Sequence, residues 1–113
     1  MNGPTVEEEQ FWEAAAGLLA LPGISRSMMM GLPCLRQDGT FFAAYDRRSG
    51  DLLVKLDHAR VDQLVGDLHA HPFAPAGRRF RQWAAISPDL AGTWQALLDE
   101  AHEHAVEASP PSR

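Results

Sequence analysis

The chain has 113 residues, 45% of them hydrophobic, a formal charge of −5 and one cysteine, Cys34. That is enough apolar material for one packed domain and too little for two, and the lone cysteine excludes the disulfide-stapled secreted class. Glu7, Glu8, Glu9 and Glu13 stand where a signal peptide carries cations, and the apolar run 14–21 is too short to cross a bilayer, so a cytoplasmic protein without membrane association is expected.

Thr5 followed by Glu8 has capping-box spacing and predicts a helix start. Phe11, Trp12, Ala15, Leu18 and Leu19 form its apolar stripe, and Leu21-Pro22-Gly23 ends it. Strand-like runs follow at Met28–Arg36, Thr40–Asp46 and Asp51–Leu56, and read as a three-stranded antiparallel meander with Asp38-Gly39 as a hairpin turn. Gly31 and Pro33 interrupt the first run, which predicts a bulge or two short pieces of edge strand. Phe42, Ala44 and Asp46 alternate with Phe41, Ala43 and Tyr45, a pattern nearly apolar on both faces that suits a central strand.

Asp57 is placed to cap a second helix with Val61, Leu64, Val65 and Leu68 as its stripe. The proline-rich segment 69–77 reads as a loop. Arg79–Ile86 reads as a strand with Phe80, Ala84 and Ile86 on one side and Arg79, Arg81, Trp83 and Ala85 on the other. Ser87-Pro88 opens a last helix with Leu90, Trp94, Leu97, Leu98, Ala101 and Ala105 on its buried stripe. The expected organisation is one domain, residues 1–108, and a disordered tail, 109–113.

The order α-β-β-β-α-β-α predicts a two-layer α+β fold, an antiparallel sheet with its helices on one face. The other face then stays open. Trp83, Phe41 or Phe42, and Met28, Met29 and Met30 offer more apolar surface than the helix stripes use, which predicts a homo-oligomer, most simply a dimer, joined through sheet surface.

Charge is unevenly spread along the chain. Residues 1–25 hold four acids and no base, 26–81 nine bases and six acids, and 82–113 five acids and one base. Nine of the ten cations are arginines, whose planar forks suit phosphate and carboxylate. Arg78, Arg79 and Arg81 lead into Trp83, an arrangement that can hold a phosphate backbone with an aromatic ring for stacking, and Lys55, Arg36, Arg47 and Arg48 extend the patch if their strands are neighbours. The same cluster also serves as edge-strand protection.

His69 and His71 are two apart with no third ligand at motif spacing, so no metal and no cofactor are expected. Cys34, flanked by Pro33 and Leu35, reads as a buried structural thiol. No motif supplies both a nucleophile and its activation, and a non-catalytic protein is expected.

The stretch Arg26-Ser27-Met28-Met29-Met30-Gly31-Leu32-Pro33, then Asp38-Gly39-Thr40-Phe41-Phe42-Ala43-Ala44, Leu52-Leu53-Val54-Lys55-Leu56 and Pro72-Phe73…Gly77-Arg78 resembles the amino-terminal domain of the TfoX/Sxy family over about residues 8–105. Met30 stands where that family favours phenylalanine, and Gly31 alone represents its glycine pair. The MmcQ/YjbR family is similar as well. The resemblance implies a secretion-chaperone-like fold, α-β(3)-α-β(1 or 2)-α, and a non-catalytic binding or regulatory domain; the alternative is a nucleic-acid-binding module that uses the arginines.

Overall fold

The computed structural model describes residues 6–29 and 31–108. The first helix, α1 (Val6–Leu19), lays Phe11, Ala15 and Leu18 on the core. Thr5 lies outside the described residues, as does the tail 109–113. The Glu8 carboxylate accepts from Arg47 Nε at 3.0 Å and Nη2 at 3.2 Å.

Four strands follow, because the first expected run divides at Gly31 into two pieces, the second of the two expected alternatives, while Pro33 lies within the second piece and pairs with Met28. β1 (Ile24–Met29) and β2 (Leu32–Gln37) form a hairpin, and β3 (Thr40–Asp46) and β4 (Asp51–Lys55) continue the meander. Asp38 and Gly39 both adopt positive φ, 50° and 89°, the primed-turn geometry that the Asp-Gly pair predicts. The β2–β3 register slips between Leu35 and Arg36: Leu35 pairs with Ala43 but Arg36 with Phe41. Phe42 is the extra residue of this bulge, so simple alternation along β3 fails and Phe42 and Ala43 both join the core beneath the helices.

Helix α2 (His58–Gly66) begins as expected, with Asp57 Oδ2 accepting from the Ala59 amide at 3.1 Å. Its stripe is one residue shorter than expected. The His69 amide donates to Leu64 O at 2.9 Å and the Leu68 amide to Val65 O at 3.1 Å, which closes the helix in a Schellman motif. That turn holds Leu68 at φ 62° and leaves it 85% exposed.

The segment read as a loop contains a short strand, β5 (His71–Pro72), paired with β6 (Trp83–Ile86). β6 is half the expected length; Arg79 and Arg81 belong to the connection before it. Ser87 caps the next segment by accepting from the Asp89 amide at 3.1 Å, but Pro88–Thr93 winds as 3₁₀ turns before α3 (Trp94–Ala108) begins. The observed order is therefore α-β-β-β-β-α-β-β-α.

The six strands form one antiparallel sheet in the order β1-β2-β3-β4-β6-β5. The α+β reading holds, with all three helices on one face. Phe11, Phe42, Tyr45, Leu52, Val61, Ile86, Trp94 and Leu98 interdigitate there. Arg60 of α2 clamps Glu100 of α3 through Nε and Nη2 at 2.6 and 3.0 Å. No helix among the described residues is long and apolar enough to cross a membrane.

The opposite face was expected to be open, and its centre is not. A small second core of Leu32, Cys34, Ala44, Leu53, Phe73 and Ala85 forms on it, packed by Phe41, Phe80 and Trp83. Phe73 and Phe80 come from the β5–β6 connection, which the Phe80 amide closes onto Phe73 O at 2.9 Å, and their rings stack at 5.8 Å. Positive φ at Ala76 (54°) and Gly77 (79°) turns this loop back over the sheet.

Candidate functional site

Four half-buried side chains come together at one end of the second face. The register pairs Arg36 with Phe41 across β2 and β3, and Lys55 with Trp83 across β4 and β6. Continuing β3–β4 pairing past Ala43 and Val54 brings the Phe41–Phe42 bulge alongside Lys55. Phe41 and Trp83 pack on the second core, and Lys55 shares the side of Leu53 because side chains two apart on a strand point the same way. Arg36, Phe41, Lys55 and Trp83 thus form a row across four neighbouring strands, cation alternating with aromatic. Three inter-strand steps make it about 14 Å long.

Among the described residues neither cation of this row is paired with a carboxylate. The Arg36 guanidinium carbon sits 5.7 Å from the Phe41 ring centre, a loose cation–π contact. Arg36 Nε is buried with no acceptor among the described residues. An unmatched buried donor costs about 1–3 kcal/mol.

The other expected site residues divide. Arg78 lies at the loop, its guanidinium carbon 5.6 Å from the Phe80 ring, at the margin of the same face. Arg81 is exposed two residues before Trp83. Arg79 leaves the group: its Nη2 donates to Asp62 Oδ1 of α2 at 3.2 Å, because the residues read as a strand are a turn and no longer alternate. Arg47 is held by Glu8 on the helix side, and Arg48 lies 3.8 Å from Asp46.

The carboxylates of this face stand at its other end. Asp46 and Asp51 are paired across β3 and β4, four residues or about 13 Å along β4 from Lys55. Asp51 is buried, and His71 Nε2 lies 3.0 Å from its Oδ2. With Arg48, Ser49, Phe73 and Pro75 they line a shallow cleft of about 250 Å³. The face is therefore polarised, positive and aromatic at one end and acidic at the other. Among the described residues no three histidines, cysteines or carboxylates are grouped to hold a metal ion.

No family model, curated protein or solved structure matches this chain.

Cys34 lies in the floor of the second face and is fully buried. Burial raises its thiol pKa above the ordinary 9.0, and the nearby Arg36 charge only partly opposes that. A nucleophilic thiolate needs the reverse. The sequence put Arg36, Lys55 and Trp83 in one patch and offered Phe41 or Phe42 to the open face; that Phe41 is the one aimed there was hidden, since the bulge has no marker in the local residue pattern.

Proposed function

We propose that this protein is a non-catalytic cytoplasmic binding module that holds an anionic, aromatic-bearing chain, single-stranded nucleic acid, across one end of its second sheet face. The observation that carries this reading is the Arg36–Phe41–Lys55–Trp83 row. Phosphates suit the two cations and unpaired bases stack on the two rings, a combination that tolerates many sequences. Arg78 and Arg81 extend the positive margin. A duplex hides its base faces, so the aromatic half of the row favours single strands. The wider class is the regulatory binding domain that the TfoX-like pattern implies.

Fluorescence anisotropy with a labelled single strand, and with a duplex of the same sequence, tests this between about 50 and about 200 mM salt. Single strands bind more tightly than duplex. Lys55→Ala lowers the salt slope by about 0.7, and Trp83→Ala weakens binding by about 1–3 kcal/mol with an unchanged slope. Absence of binding at the lower salt overturns the reading.

A further inference from the structure

The two edges of the sheet are built differently. The β5 edge is two residues long and contains Pro72, which has no amide to offer a partner. The β1 edge is six residues long, runs in unbroken register with β2, contains no proline and carries one charge, Arg26. Even that charge is drawn aside, with its guanidinium carbon 4.0 Å from the Trp12 ring centre on α1. Alternate residues of β1 therefore aim backbone N–H and C=O groups outward, with Met28 beside them 54% exposed.

We propose that β1 is a self-pairing edge, joining two copies of this chain antiparallel about a two-fold axis at Ser27 into one continuous sheet. The two-fold keeps the helices of both copies on one side, which requires a residue of β1 to sit opposite itself. An axis at Arg26 would stack two guanidinium groups. An axis at Ser27 instead sets Arg26 opposite Met28 of the second copy, and Ser25 opposite Met29. Met28 then meets the stem of the other Arg26 beside a cleft of about 290 Å³ lined by Trp12, Pro33 and Met28 together with Arg26 and the Glu8–Arg47 pair. Flexible methionine fills such gaps well. The two halves of β1 complement each other, and this favours a second copy over an unrelated strand. The interface is a strand pair with few anchors, at the small end of specific interfaces, so a micromolar dimer is expected. It is independent of the binding row, which lies on β2, β3, β4 and β6.

Sedimentation equilibrium of the full chain from low-micromolar to sub-millimolar concentration reads the association directly. Met28→Arg faces the partner's Arg26 twice per dimer and weakens association at least about tenfold, whereas Met28→Glu at the same exposed position retains or tightens it. Circular dichroism confirms that both variants fold. Ser27→Cys forms an intermolecular disulfide under mild oxidation, because residues directly opposed across an antiparallel pair have Cβ atoms about 4.5–5.5 Å apart; Ser25→Cys does not. A chain that stays monomeric throughout, a dimer indifferent to Met28→Arg, or cross-linking through residue 25 in place of 27 overturns the proposal.

Discussion

The two faces of this sheet solve the same burial problem with different materials. Beneath the helices lie large side chains, Phe11, Phe42, Tyr45 and Trp94, and three amphipathic elements cover them. On the other face the floor mixes small Cys34, Ala44 and Ala85 with Leu32 and Leu53, and a single loop reaches over it with Phe73 and Phe80. Small floor residues let the loop lie close, yet one loop spans only part of the sheet. The first face holds the fold together, and the second carries the Arg36–Phe41–Lys55–Trp83 row proposed above as the binding site.

Substitutions can break or sharpen that contrast. The largest effect is expected at Trp94, which is fully buried under the helices, with Tyr45 at 6.4 Å edge-on. Trp94→Ala should destabilise by about 3–5 kcal/mol in urea titrations. Phe73→Ala should cost about half as much, because a loop collapses into a cavity more readily than three packed helices do. Equal losses would show that the second core is as structural as the first. Trp94→Phe should be milder, since among the described residues the buried indole N–H has no acceptor to leave stranded.

Gly23→Ala should cost about 1–2 kcal/mol. Gly23 adopts φ +84°, where an L side chain is strained, and a Cβ there would stand 2.7 Å from Asp38 Oδ1 and 2.8 Å from Gln37 Nε2. This glycine seats the end of α1 on the β2–β3 turn, since its carbonyl accepts from the Asp38 amide at 2.9 Å.

The link between α1 and the sheet should also be sensitive to acid. Arg47 holds the Glu8 carboxyl below its ordinary pKa of 4.5 through a charged hydrogen bond, although burial pushes the other way. A depressed folded-state pKa means that the stabilisation is present above about pH 4.5 and is lost as pH falls through the folded value. Thermal melts of wild type and Glu8→Gln should therefore differ at neutral pH and converge on acidification. A constant gap would remove Arg47 as the cause.

The smallest effect is a gain. Leu68 occupies the left-handed cap position that glycine favours, and it buries almost nothing in return. Leu68→Gly should stabilise by up to about 1 kcal/mol. A loss would mean that Leu68 packs against something in solution.

The start of α2 and the Asp38-Gly39 turn were legible from local chemistry. Asp57 caps the helix it was expected to cap, Ser87 accepts the expected amide but opens 3₁₀ turns ahead of α3, and Asp38-Gly39 turns as its φ preferences require. Misreadings arose where a segment's fate depends on distant residues. Leu68 fits the helical period yet lies beyond the last turn, and His71-Pro72 has the composition of a loop but finds β6 to pair with. Arg79 and Arg81 alternate as a strand would, while their backbone turns so that Phe80 can reach Phe73.

Residue pattern alone determined that this chain makes a helix-roofed antiparallel sheet, because caps, turns and apolar periods act over a few residues. It also marked Arg36, Lys55 and Trp83 as chemically notable. Only the tertiary structure brought them into a row with Phe41, through one bulge and a strand order in which β4 lies beside β6. Register and strand neighbours are set by the packing of whole faces, and no short window of sequence contains that information.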